Sequence, residues 1–264
     1  MDLGLEGKAA AVTGSTAGIG FAIAAALAKE GARVVVNGRT EARVTAALER
    51  IRRGGKQLEV RGVAADLGTL AGVEAFLQQV PEVDVLVNNL GIFDTKPFLE
   101  IPDSEWFRFF EVNVLSGVRL TRHYLPGMLR KGWGRVIFIS SESAQQIPTE
   151  MVHYGMTKTA QVAIARGVAE SVAGTGVTVN SVLAGPTSSE GAGEFVKRVA
   201  EERGISIAEV EKQFFSTMRP TSLLKRFTTP EEVASVVAFV ASPQAVSMNG
   251  AAVRAEGGVV RSIF

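Results

Sequence analysis

Tyr154 and Lys158 stand four residues apart in a stretch, His153 to Ala173, whose apolar spacing predicts a helix, so both side chains share one face. A phenol of ordinary pKa, about 10, is a poor base at neutral pH, and a neighbouring ammonium favours its phenolate form. Such a pair can trade a proton with a bound oxygen, as acid in one direction and base in the other. Ser141 lies thirteen residues before Tyr154, just beyond a predicted strand from Val136 to Ile139. That is the carboxyl edge at which open α/β sheets receive ligands, and its hydroxyl can polarise a carbonyl; Ser140 is the competing candidate. His153 adjoins Tyr154 but points elsewhere on the helix and has no metal-ligand spacing around it, so it stays outside the constellation and no metal is expected.

A second group of residues suits phosphate. Thr13-Gly14-Ser15-Thr16-Ala17-Gly18-Ile19-Gly20 follows the first predicted strand and opens directly into an alanine-rich helix. Gly14 allows a sharp exit from the strand, and Gly18 and Gly20 allow close approach, which sets a dinucleotide's phosphates at the helix N-terminus. The spacing matches neither G-x-G-x-x-G nor the Walker pattern. The second strand ends Val36-Asn37-Gly38-Arg39, where an NAD site presents an acid to the ribose hydroxyls. Arg39 instead offers a guanidinium to a 2′-phosphate, with Thr16 and Thr40 as hydroxyl helpers, which favours NADP(H).

The elements that must position these groups are short β-branched runs alternating with helical patterns. Seven strands are predicted within Lys8–Gly14, Ala32–Gly38, Leu58–Asp66, Val83–Asn89, Gly134–Ser140, Val177–Val182 and Ala251–Gly258. Helices fall at Phe21 to Lys29, Ala42 to Ile51 and Gly72 to Val80, and a longer one starts near Asp103, capped by Asp103 or Ser104, and passes Tyr124. This alternation implies an α/β, doubly wound Rossmann fold: a seven-stranded, mostly parallel sheet with helices on both faces, in one domain spanning 1–264. From Thr187 to Arg219 the pattern becomes a charged helical insertion carrying Phe195, Phe214, Phe215 and Met218, read as a small lid or as an ordinary surface hairpin.

Composition excludes several classes of function. With 28 Lys plus Arg against 27 Asp plus Glu, the net charge is +1, so no field gathers nucleic acid or acidic lipid. Cysteine is absent, which removes disulfides, thiolate metal sites and thiol nucleophiles and suits a reducing, cytoplasmic setting. The alanine-rich stretch from Lys8 to Leu27 does not read as a signal or a membrane span, because Asp2 and Glu6 precede it and turn formers interrupt it.

In order and spacing these fragments resemble the short-chain dehydrogenase/reductase family over nearly the whole chain. The residues concerned are 13–20, Asp66-Leu67, Asn88-Asn89-Leu90-Gly91, Asn113, Ser141, Tyr154 with Lys158, and Asn180 through Gly185-Pro186-Thr187. The resemblance implies hydride transfer between NADP(H) and a carbonyl or alcohol, with Asn113, Ser141, Tyr154 and Lys158 as the catalytic set. It makes Tyr154 the proton donor or acceptor. Lys158 would hydrogen-bond the nicotinamide ribose, and Asn113 would hold a water against Lys158. It further implies that Gly14, Ser15, Thr16, Gly18, Ile19 and Gly20 cradle the cofactor, that Asp66 and Leu67 meet its adenine, that Asn89 and Gly91 line the adenosine side, and that Gly185, Thr187 and Ser189 serve the nicotinamide end.

Three positions depart from the family pattern: Leu90 for alanine, bordering the cofactor pocket; Ala184 for proline; and Glu256 for aspartate, where a subunit contact could change. The nearest activity by resemblance is a ketoreductase of the 3-oxoacyl carrier-protein reductase type. Enoyl reduction is disfavoured, because that subfamily separates its tyrosine and lysine by six residues and here three intervene. An NAD-dependent alcohol or polyol dehydrogenase is opposed by Gly38-Arg39, and a non-catalytic dinucleotide sensor by the retention of all four catalytic positions. A homotetramer built on the long helices and the C-terminal strand, with Ile263-Phe264 suited to burial, completes the expectation.

Overall fold

Val34, Val35 and Val36 are buried in succession, as are Val85, Leu86 and Val87, and a strand buries consecutive side chains only when both its faces are covered. The computed structural model describes residues 2–55 and 58–263 and shows that covering. Seven strands, β1 (Ala9–Val12), β2 (Arg33–Gly38), β3 (Val60–Ala64), β4 (Val85–Asn88), β5 (Gly134–Ser141), β6 (Val177–Ala184) and β7 (Ala252–Ala255), form one sheet in the order β3-β2-β1-β4-β5-β6-β7. Every pairing is parallel, a stricter outcome than the mostly parallel sheet expected.

One apolar layer joins α1 (Gly18–Lys29), α2 (Glu41–Arg53) and α9 (Pro230–Ala241) to the sheet through residues such as Ile23, Leu27, Ile51 and Val237. The opposite layer joins α3 (Leu70–Gln79), α5 (Ser116–Lys131) and α6 (Val152–Ser171) through Phe76, Leu120, Met128 and Ala165. Strand order reverses between β1 and β4, so the loops leaving those two strands part and open a crevice at the carboxyl ends.

One strand end and one helix cap differ from expectation for identifiable reasons. Strand β5 runs through Ser141 instead of ending at Ile139, because its register with β6 continues to Ser141 opposite Ala184. The long helix begins as α4 (Asp103–Phe110) after Pro102, which offers no side-chain cap; Asp103 sits inside the first turn, where its charge meets the positive helix end, and does not cap it. This helix then passes through a π-helical turn, Glu111–Leu115, before continuing as α5.

Between β6 and α9 lie α7 (Glu190–Arg203), α8 (Ile207–Gln213) and a second π-helical turn, Phe214–Met218. This hairpin has its own small core of Val196, Ala200 and Val210, and the rings of Phe214, Phe215 and Phe227 pack at 5.0 to 5.1 Å. Phe264 and the side chain of Phe195 lie outside the described residues. Among those described, no helix is long and apolar enough to cross a membrane.

Candidate active site

Gly14 turns the chain out of β1 with φ +59, a conformation that favours glycine. Gly20 faces the loop so closely that a Cβ there would come within 2.4 Å of the Asn89 amide nitrogen and 2.5 Å of the Gly14 carbonyl oxygen. Asn89 fastens this loop, donating to the carbonyls of Thr13 at 2.9 Å and Gly14 at 3.0 Å. Helix α1 starts from Ala17, which has no side-chain oxygen to cap it, so its first-turn N–H groups remain available to an anion at the crevice. That donor set fits a dinucleotide pyrophosphate, and an added Cβ would fill the loop that has to receive it.

Not every hydroxyl of this segment is free for the same task. Ser15 is wholly buried, donating to the Val12 carbonyl at 2.7 Å and accepting from the Asn37 N–H at 2.9 Å, so it locks the loop from within and does not face the crevice. Thr40 caps α2 by accepting from the Arg43 N–H at 3.4 Å. Both positions show how readily short hydroxyls at strand-to-helix junctions are taken up by the local backbone.

Gly14, Thr16, Arg39, Asp66, Leu67, Leu90 and Gly91 line one half of the crevice, as does Arg43, a residue the sequence did not single out. Arg39 is exposed and makes no hydrogen bond or ion pair with the other described residues. Arg43 reaches Glu190, the first residue of α7, at 3.3 Å. One helical turn separates Arg43 from Thr40, a spacing that could have flagged it as a second basic group beside Arg39. Asp66 accepts from the Gly68 N–H at 3.1 Å.

The other half is lined by Ile19, Asn89, Gly91, Ser141, Tyr154, Lys158, Gly185, Thr187 and Ser189, together with Phe93, which the sequence reading also missed. Asn89 lines this half while its amide fastens Gly14, which lines the other. The Phe93 ring meets Tyr154 edge-on, 6.4 Å between centroids. Thr187 is held by the Gly185 carbonyl and the Thr228 hydroxyl, both at 2.9 Å.

Strand pleating separates the two serines. Ser140 donates to the Lys158 carbonyl at 2.9 Å and so pins α6 to the sheet, whereas Ser141 donates to the Glu142 carboxylate, accepts from the Ser143 N–H at 3.1 Å and faces Tyr154. Burial, and after it the Glu142 charge, push the Tyr154 phenol well above its ordinary value, while Ser141 and Arg219 act in the opposite sense. The expected lowering by Lys158 is not seen. Lys158 Nζ lies 5.5 Å from the ring centroid and is engaged by the Ile139 carbonyl at 2.9 Å and Gln161 Oε1 at 3.2 Å, and its own burial brings its ammonium down to about 8 against the pull of Glu142.

Asn113 sits in the π-helical turn, buried, with its side chain bonded to Ile92 N and O at 2.8 and 2.9 Å and to Thr157 at 3.0 Å. Its carbonyl accepts from Gln161 Nε2 at 2.6 Å. Gln161 thus links the Asn113 carbonyl to Lys158 through its side chain. On sequence it reads as one more position of a helix. His153 is enclosed, its ring 4.1 Å from Phe109 and 6.1 Å from Trp106, with neither nitrogen partnered; burial lowers its pKa.

Comparison with known proteins places the molecule. The short chain dehydrogenase family pattern matches residues 8–200, and the chain belongs to that family. It is 49% identical, over the whole of both chains, to an uncharacterized oxidoreductase, YvaG, of Bacillus subtilis, and 32% identical over 97% of this chain and 99% of its own to a 3-oxoacyl-[acyl-carrier-protein] reductase of Vibrio cholerae. The crystal structure of L-sorbose reductase from Gluconobacter frateurii, complexed with NADPH and L-sorbose, superposes over the whole of both chains with a TM-score of 0.94 at 31% identity.

Proposed function

We propose that this chain is an NADP(H)-dependent oxidoreductase of carbonyls and secondary alcohols, a ketoreductase in its main direction, with Tyr154 as the proton donor. The observation that carries the reading is the gathering of Ser141, Tyr154 and Lys158 around one end of a crevice whose other end holds the unpaired Arg39. When bound, the nicotinamide supplies the hydride. The Gly14 to Gly20 loop and the α1 N-terminus would hold the pyrophosphate, Arg39 and Arg43 the 2′-phosphate, Lys158 the ribose, and Thr187 with Ser189 the carboxamide.

Ser141 would orient the substrate oxygen, and Tyr154 would pass it a proton. The Tyr154 phenol is protonated at neutral pH, the form a proton donor in reduction needs. The Vibrio relative supports the 3-oxoacyl reductase type of chemistry, and the Gluconobacter structure shows that a closely similar fold receives NADPH with a ketose. The same reading places the enzyme in the cytoplasm, which suits a chain without cysteine.

Loss of reduced-nicotinamide absorbance with a panel of ketones tests the proposal. Parent protein is expected to consume NADPH, and Tyr154→Phe to be slower by about 10²- to 10⁴-fold with cofactor affinity retained. A parent that binds NADPH but reduces nothing, unaltered by the substitution, would make it a dinucleotide sensor.

A further inference from the structure

Glu142 follows the active-site serine, and its carboxylate is almost wholly buried, at 4% exposure. Each of its oxygens is engaged. Oε1 accepts from Arg219 Nε at 2.9 Å, and Oε2 accepts the hydroxyl of Ser141. Arg219, itself buried at the end of the helical insertion, is fixed in turn by its contacts to the Met218 carbonyl at 2.9 Å and to Glu150 at 3.4 Å. A buried carboxylate clamped from behind therefore stands one hydrogen bond from the cavity that holds Ser141 and Tyr154.

Hydrogen-bond accounting makes this arrangement selective. Ser141 has one proton to donate, and in this structure it goes to Glu142. When the serine turns that proton to a substrate carbonyl, Glu142 Oε2 is left buried without a donor, which is strongly unfavourable for a charged group. A hydroxyl on the carbon beside the carbonyl removes the deficit. Ser141 Oγ and Glu142 Oε2 are in hydrogen-bond contact, and the two oxygens of a 2-hydroxyketone are near neighbours too. The carbonyl oxygen can lie on the serine while the hydroxyl donates to the carboxylate.

We propose that Glu142, held in place by Arg219, selects carbonyl substrates that bear a hydroxyl on the adjacent carbon. The selection rests on the carbonyl-reductase reading above and narrows it. A plain ketone or a 3-oxoacyl thioester has no donor at that position and leaves Glu142 unpaired. The Glu142 charge acts on both Tyr154 and Lys158, raising each.

The test compares matched ketones with NADPH: 3-hydroxy-2-butanone against 2-butanone, with an acetoacetyl thioester as the 3-oxoacyl probe. The parent is expected to prefer the hydroxyketone by about tenfold or more in kcat/KM, since a site built to pair a hydroxyl rejects the analogue lacking it. In Glu142→Gln that ratio should collapse towards one, whatever happens to the absolute rates; a carboxylate that merely ties the insertion to β5 would leave the ratio where it was. Should Glu142→Gln fail to fold, Glu142→Asp, which withdraws the charge by one methylene, is expected to show the same collapse. Equal use of both ketones by the parent, preference for the thioester, or a ratio unmoved by substitution overturns the inference and leaves the ketoreductase standing. No reduction of any ketone removes both.

Discussion

Arg39 and Arg43 show what one residue can decide. Arg39 is exposed and unpaired among the described residues, whereas Arg43 is shared with Glu190, so Arg39 is the freer partner for a phosphate. Arg39→Asp is expected to cut the ratio of kcat/KM for NADPH over NADH by roughly 10- to 100-fold, the loss of one or two charge-assisted hydrogen bonds; Arg43→Gln should give a smaller drop. Steady-state kinetics with both cofactors checks this, and a parent that already prefers NADH would refute the assignment. Arg39 was legible because it stands where a strand ends, and Tyr154 with Lys158 because four residues make one helical turn. The choice of Ser141 over Ser140 came from the family spacing. The structure supplies its physical cause, since adjacent strand residues face opposite sides. Gln161, Glu142 and Arg219 were not legible: Gln161 stands near Lys158 and Glu142 beside Ser141, but the partners that fix them, Asn113 for Gln161 and Arg219 and Glu142 for each other, lie 48 and 77 positions away.

At the scale of elements, the packing of α4 against α6 carries a titration. His153 lies between Phe109 and Trp106 with both nitrogens unpartnered, and burial holds its pKa below the ordinary value while Glu105 and Asp94 pull it up and Lys96 pushes it down. A histidine lowered in the folded state binds protons more readily when unfolded. Its contribution to stability is therefore full above about pH 6.5 and is lost as pH falls towards the depressed folded value. Melting temperatures between pH 7.5 and 5.5 should fall more steeply for the parent than for His153→Phe, which keeps a ring and removes the titration. Parallel slopes would show that this imidazole does not couple to folding. The sequence placed the helices, the start of α4 near Asp103 among them, but neither the missing side-chain cap at Pro102 nor the π-helical turn at Asn113 has a composition signal.

At the scale of the molecule, the alternation of strand and helix was enough to imply a seven-stranded, mostly parallel sheet, because parallel pairing needs crossovers and two covered faces; that every pairing is parallel is the structure's addition. How the chain meets its copies was expected from resemblance alone, and the surface now bears on it. Leu99 is 95% exposed and Phe107 73%, with Phe98 and Phe110 also open, all on α4 or on the segment leading into it. Large apolar side chains concentrated on one helix mark an association surface better than scattered ones do. The Glu256 carboxylate, by contrast, is consumed within its own chain by Arg254 and the Val259 and Val260 N–H groups, so Glu256 brings no free charge to a contact. We expect a homotetramer in which α4 packs against a second copy around a two-fold axis, burying Phe107. Sedimentation equilibrium should then give about four times the 27.9 kDa of one chain. Phe107→Glu places two like charges across such an axis and should shift the mass to smaller species with the circular dichroism of the helices retained. A parent that sediments as a single chain, or a tetramer indifferent to the glutamate, would put the contact elsewhere or remove it.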